Sequence, residues 1–311
     1  MDLFPDVLRI ESVGLCNFRC IHCPTGTEPN KRPKLTREQF NIILNQLSVE
    51  KFIPRVVVLY HGGEPLLNKD LEYFIKRLKN LGVQKTVITT NASSLTEERA
   101  INIIEMGLDE MKVSFDGESP EENNLIRRNA NFYQNALNLK GLLRIRKKLG
   151  KQNPVVKISN VRICDKSTLD NLNRAGNFSF NNPPRYLIDY FKDELSEVQF
   201  QSFPAMVWPG FRKFGNLSSV SYAREKPIYC GPLFETITIL TNGNVVPCCL
   251  DLKGEEVLGN VFETNIFKIF GNDKYATFKR NFTKRRYSNL CLKCYVVTPH
   301  YLCNKKKAVK Q

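Results

Sequence analysis

"CNFRCIHC", residues 16 to 23, places cysteines at 16, 20 and 23 and then stops. A metal centre built from thiolates ordinarily takes four ligands, so the spacing C-x3-C-x2-C leaves one corner open. Zinc ribbons favour paired C-x2-C units instead. A four-iron cluster held by three thiolates keeps one iron free, and a small molecule can chelate there. "VLRIESV" (7–13) reads as a strand, so the three cysteines fall on the loop that follows it.

The pattern continues outward. "TREQFNIILNQL" (36–47) is a helix with Thr36 as N-cap and Gln39 at the capping-box position. "RVVVLY" (55–60) is a buried strand, and "NKDLEYFIKRLKNLG" (68–82) a helix stopped by Gly82. "VQKTVITTN" (83–91) is a strand, "LTEERAINIIEMG" (95–107) a helix and "LDEMKVSFDG" (108–117) a strand. A long helical stretch over 120–149 precedes a strand in "VVKISNVRI" (155–163). "PRYLIDYFKDEL" (184–195) is a helix and "EVQFQSF" (197–203) a strand. Six such β/α units predict an α/β fold with a parallel sheet or barrel over residues 1–203.

From residue 204 the alternation breaks. "FETITILTNGNVVPCC" (234–249) reads as two strands around Asn242-Gly243, a strong hairpin signal. A basic helical segment over 265–287 and "CLKC" follow. A second domain is therefore expected over 204–311, carrying six of the ten cysteines.

Charge and cysteine placement narrow the function classes. The chain has 311 residues and a net charge of +15. Residues 204–311 hold 17 Lys or Arg against 7 Asp or Glu, with the densest run in "KRNFTKRR" (279–286) and a basic tail, "NKKKAVKQ". A solvated basic face is the plain reading; attraction of an acidic peptide, a nucleotide-sugar or an acidic electron donor is the sharper one. No nucleic-acid module is recognisable. No run reaches the roughly 18 to 20 apolar residues that cross a bilayer. The first residues lack a secretory pattern, so a cytoplasmic location is expected. In a reducing compartment, grouped cysteines read as metal ligands rather than disulfides.

The first cluster resembles the signature of the radical S-adenosylmethionine (SAM) enzymes, and "GGEP" (62–65) resembles that family's SAM-binding motif. The resemblance covers roughly residues 5–203 and implies a partial, TIM-like (β/α)6 barrel. It implies SAM bound at the open iron of a [4Fe-4S] cluster held by Cys16, Cys20 and Cys23, and cleaved to a 5′-deoxyadenosyl radical. Glu64 would accept from the SAM ammonium, while Gly62, Gly63 and Pro65 shape the loop. His22 stands where the family usually has an aromatic that packs near adenine, and histidine departs from the commonest choice. Asn91, Ser114 and Asp116, at strand ends, resemble positions that reach the ribose or carboxylate, although strand-end capping alone would also place them there. His61 and His300 carry no assigned role.

Cys230, Cys248, Cys291 and Cys294 are similar to the cysteines of a C-terminal extension called SPASM in its seven-cysteine form and twitch in its shorter form. Only Cys303 follows "CLKC", so the longer pattern fails and one auxiliary [4Fe-4S] cluster with four protein ligands is expected. Zinc on the same four thiols remains an alternative. With no open iron, an electron relay or a pocket wall suits that cluster best. Cys249 adjoins a ligand and could return a hydrogen atom to a substrate radical, or be a buried hydrophobe or a substitute ligand. Cys164 is a weaker candidate for the same task.

The expected enzyme abstracts hydrogen from a carbinol carbon of a sugar, aminoglycoside or cyclitol. Epimerisation, favoured slightly by Cys249, and oxidation to a ketone both follow from that radical. Modification of a ribosomally made peptide is the rival. No leader-binding domain precedes Val7, which weighs against it, while the basic second domain weighs for it. A non-catalytic iron–sulfur scaffold is the third reading. The implied partners are the substrate and a low-potential donor such as flavodoxin or ferredoxin.

Overall fold

The protein is described here by a computed structural model covering residues 4–28, 32–176, 178–212 and 214–304. The basic tail after Asn304 lies outside the described residues.

Six strands form the frame: β1 (Val7–Ile10), β2 (Val56–Val58), β3 (Lys85–Thr90), β4 (Glu110–Ser114), β5 (Val155–Arg162) and β6 (Val198–Pro204). They pair in chain order and all in parallel. Parallel neighbours need a crossover, and helices supply it. These are α1 (Arg37–Val49), α2 (Leu71–Leu81), α3 (Glu97–Glu105), α4 (Pro120–Ile126), α5 (Phe132–Lys148), α6 (Lys166–Arg174) and α7 (Arg185–Tyr190). Thr36 starts α1 with a complete capping box, its hydroxyl accepting from Gln39 N at 3.2 Å. A cap of this kind contributes about 1 kcal/mol.

One face of the sheet packs on the helices. Leu8, Ile10, Val57, Leu59, Ile88, Met111, Val113, Val156 and Ile158 meet Phe40, Phe74 and Phe132 in a single core. Each fully buried side chain of this size contributes about 1.5–3 kcal/mol.

The sheet continues past β1 with residues from the far end of the chain. Strand β7 (Leu217–Ser221) lies elsewhere, but β8 (Thr236–Ile239) pairs in parallel with β1, Val7 opposite Thr236 and Ile10 opposite Ile239. Strands β9 (Asn244–Val246) and β10 (Gly259–Asn260) follow in antiparallel order. The expected hairpin is therefore present, and Gly243 takes φ +84° at its turn. A separate ribbon joins β7 to β11 (His300–Asn304).

Three helical expectations are corrected. The stretch 120–149 is not one helix. Arg127–Arg128 leave α4 to pair with Arg19–Cys20, and Asn129 sits at φ +72° before Asn131 caps α5. The helix expected over 184–195 stays α-helical only to Tyr190 and continues as a 3-10 turn. The segment 265–287 is two helices, α8 (Ile266–Phe270) and α9 (Asp273–Thr283), because Gly271 closes the first and Asn272 caps the start of the second.

Candidate functional site

The three-cysteine loop leaves the C-terminal end of β1 and is held from several sides. Cys20 lies opposite Arg127 in the short antiparallel ribbon. Asn17 receives a bond from Asn91 Nδ2 at 3.0 Å and donates to Ser93 Oγ at 2.8 Å, which ties the loop to the end of β3. Burial pushes the Cys16 thiol up to about 11 and Cys20 to about 12, and it raises Cys23 as well. Such thiols stay protonated until a metal or cation takes over their charge.

Glu64 follows β2 and is almost fully buried. Its Oε1 accepts from Thr90 Oγ1 at 2.6 Å and from Leu66 N at 3.0 Å, and Oε2 accepts from Asn91 N at 2.7 Å. Burial nevertheless raises its pKa, against the pull of those three bonds. Gly63 explains the loop sequence: a Cβ there would collide with the carbonyl oxygens of Val13 and Leu15. Pro65 opens the one-turn helix Pro65–Leu67 that delivers the Leu66 amide.

Asp116, expected near a ribose or carboxylate, is fully buried and already engaged. Its Oδ2 accepts from Arg127 Nη1 at 2.8 Å, its Oδ1 from Val161 N at 3.1 Å. His22 Nε2 stands 3.7 Å from the same Oδ2, and burial lowers its pKa more than Asp116 raises it. Ser114 is half-buried, opposite Ser159 in the register of β4 and β5.

Three residues escaped the sequence reading. Arg127 is buried among Cys20, Cys16 and Asp116, its Nε without a hydrogen-bond partner. Glu11, with no exposed surface, takes both Arg32 Nε (2.8 Å) and Nη2 (3.0 Å), together with the amides of Gly62 (3.3 Å) and Thr241 (3.1 Å). Arg32 also donates to Leu252 O at 2.6 Å. The pair thus links the "GGEP" loop to the residues around β8. A charged residue inside "VLRIESV" was the available signal for Glu11. Arg127 gave none, since "LIRRNAN" reads as helix surface.

The second set also converges. Cys230, Cys248, Cys291 and Cys294 all line one apolar cavity, walled by Leu233, Phe278, Phe282 and Leu290. Four thiols round an apolar cavity suit a larger, charge-delocalised group. Cys249 is not among the residues lining that cavity; it is half-buried and packs against the group formed by Cys248, Leu250, Leu290 and Cys294. Cys164 and Cys303 are free thiols whose backbones pair in parallel, packed with Leu169, Tyr222 and Tyr301.

The family model described as the Radical SAM superfamily matches residues 10–151, which hold the cysteine loop, Glu64 and Asp116. The chain belongs to the radical SAM superfamily. A second model, the SPASM iron-sulfur cluster-binding domain, matches residues 230–295. SAM, a [4Fe-4S] cluster and an auxiliary iron–sulfur cluster are therefore cofactors of this radical SAM enzyme. A GTP 3′,8-cyclase of Aquifex aeolicus is 27% identical over 322 residues, spanning 90% of this chain and 94% of that protein. The S-adenosyl-L-methionine-dependent 2-deoxy-scyllo-inosamine dehydrogenase of Niallia circulans is 24% identical, with 94% of each chain covered. In fold, the chain resembles BtrN in complex with AdoMet and 2-DOIA, at a TM-score of 0.62 and 19% identity over 94% of each chain. It also resembles Streptococcus suis SuiB bound to precursor peptide SuiA, at a TM-score of 0.58 and 16% identity, covering 94% of this chain and 70% of SuiB. Among the described residues no helix is long and apolar enough to cross a membrane.

Proposed function

We propose that this radical SAM enzyme abstracts a hydrogen atom from a carbinol carbon of a sugar-like or cyclitol substrate, and that the resulting radical loses its hydroxyl proton to a base and one electron to the auxiliary cluster, leaving a ketone. Bound together at the three-cysteine loop, SAM and the four-iron cluster supply the 5′-deoxyadenosyl radical that the abstraction needs. We assign Cys16, Cys20 and Cys23 to that cluster and Cys230, Cys248, Cys291 and Cys294 to the auxiliary one.

Glu64 carries the reading. A carboxylate offers about four acceptor sites, and three are filled by Thr90, Leu66 and Asn91. One site remains for an ammonium, whose charge would offset the burial that now disfavours the ionised form. Glu64 also lies near enough to Cys16 to raise its pKa, so the same ammonium would stand beside the open corner. Arg127, oriented by Asp116 and with Nε free of partners, is placed to receive the carboxylate of that amino acid. His22, Asn91 and Ser114 border the same space, with Gly62, Gly63 and Pro65 setting the backbone.

One observation favours oxidation over epimerisation: the Niallia circulans relative is a dehydrogenase by name. A low-potential donor such as flavodoxin or ferredoxin would complete the scheme.

The test is anaerobic turnover with 2-deoxy-scyllo-inosamine and simple hexoses deuterated at each carbinol carbon. Deuterium should appear in 5′-deoxyadenosine for one position of one substrate class, with a ketone as co-product. Peptide-dependent 5′-deoxyadenosine with no response to any polyol would overturn it.

A further inference from the structure

The inward faces of the strands carry a second polar set that the loop residues leave unused. Leu8 and Ile10, Ile88, Met111 and Val113, Val156 and Ile158 point into the helix-covered core. Side chains alternate along a strand, so Arg9, Thr89, Lys112 and Lys157 point the other way, into the lumen. Register places Arg9 opposite Val58 and Thr238, Thr89 opposite Lys112, and Lys112 opposite Lys157. Arg9 therefore shares a row with Val58, Val87 and Glu110, and Lys112 shares one with Thr89 and Lys157, two residues further along; the two rows are adjacent. Lys112 precedes Ser114 by two positions and Arg9 precedes Glu11 by two, a step of about 7 Å along each strand.

The two rows are unbalanced in charge. Glu110 takes Lys85 at 2.7 Å, Lys157 at 2.9 Å and Lys112 at 3.7 Å, so one carboxylate serves three ammonium groups. Arg9 has no carboxylate within ion-pair distance among the described residues. Its Nη1 donates to Tyr60 O at 3.2 Å and its guanidinium lies 4.9 Å over the Tyr60 ring. Arg9 Nε and the Thr238 hydroxyl are buried without a partner, and the Tyr60 phenol lies among these groups, its pKa pulled down against burial by Arg9, Thr89 and Lys112. The other buried carboxylates nearby, Glu11 and Asp116, already hold Arg32 and Arg127. Cations crowded in a partly desolvated chamber repel one another, and unpaired donors there cost stability. An anion bound among them would relieve both costs.

We propose that the substrate carries an oxyanion group, phosphate or carboxylate, bound in the barrel lumen by Arg9 and Lys112. This rests on the hydrogen-abstraction reading for what happens at the other end of the molecule. Arg9, fixed on the Tyr60 ring, presents a planar fork suited to two oxygens of one oxyanion. Lys112, held only at 3.7 Å by Glu110, can add a point charge. The Thr89 and Thr238 hydroxyls border the same space and would donate to it. The strand step then sets the separation between the anchored anion and the carbon presented to the SAM site.

The experiment is equilibrium dialysis of the anaerobic, cluster-loaded enzyme with SAM and without reductant. The probes are glucose 6-phosphate, glucuronate and glucose. The wild type should bind one or both anions more tightly than glucose, and the tighter anion identifies phosphate or carboxylate as the group. Arg9→Gln and Lys112→Gln should each weaken anion binding by at least about ten-fold, with glucose unchanged. Lys112→Arg should retain it, which separates lost charge from lost fold should Arg9→Gln prove unstable. Equal binding of glucose and both anions, absence of anion binding, or full anion affinity in Lys112→Gln would each overturn the proposal. Because no turnover is needed, the two readings fail separately. Anion binding without deuterium transfer sinks only the chemistry, and deuterium transfer from neutral substrates with no anion binding sinks only the anchor.

Discussion

Arg127 Nη1 donates to Asp116 Oδ2 at 2.8 Å, while the backbone of Arg127 pairs with Cys20. One residue therefore joins the end of β4 to the middle of the cysteine loop. Both side chains are nearly out of solvent, so removing either partner leaves a buried charge without compensation.

Arg127→Met should destabilise the protein by about 3–5 kcal/mol, and Asp116→Asn by a comparable amount. The double variant should be less damaged than the sum of the two. Denaturant unfolding under argon measures all three. Strictly additive losses would show that the pair is not coupled.

Iron content tests the two cysteine sets together. Anaerobically reconstituted protein should hold about eight irons if both clusters contain four. Replacing Cys16, Cys20 and Cys23 with Ala should leave about half, with an electron paramagnetic resonance signal indifferent to SAM. Replacing Cys291 and Cys294 should leave the SAM-responsive signal. Loss of all iron from either variant would count against independent sites.

His61 predicts an acid limb. Burial pushes its pKa down to about 4, and its Nε2 lies 3.3 Å from Asp251 O. An unfolded histidine titrates near 6.5. The depressed folded value means that stability from this group is complete above pH 6.5 and lost as pH falls toward 4, because only the unfolded chain takes the proton. The loss is on the order of 3 kcal/mol. Melting temperatures of wild type and His61→Gln at pH 5 and pH 7 should converge at the lower pH; parallel curves would rule the histidine out.

Cys249→Ala separates the two fates of the substrate radical. Ketone formation should persist within a few-fold of wild type, since the thiol lies outside the cysteine-lined cavity. Turnover in D2O that places deuterium on carbon in the wild type, and loses it in Cys249→Ala, would instead establish the thiol as donor.

Much of this was legible because the signals are local. The cysteine spacing, "GGEP", the capping box at Thr36 and the Asn242-Gly243 turn each act over a few residues; the structure bears out the capping box and the turn, and the superfamily match spans the first two. What was missed is non-local. "TITI" (236–239) announces a strand and its hairpin neighbour, but nothing in it names β1 as a parallel partner. Arg127 reads as one more basic residue on a helix until the ribbon with Cys20 interrupts that helix. The lumen cations were masked by strand alternation, which marks them as facing away from the core without showing that they face one another.

The pairing of β8 with β1 has a consequence for the order of events at the ribosome. Val7 emerges early, yet its outer hydrogen-bonding groups wait for Thr236. Until then the nascent sheet has a bare parallel edge, open to strands from other chains. Pairing with Thr236–Ile239 closes that edge.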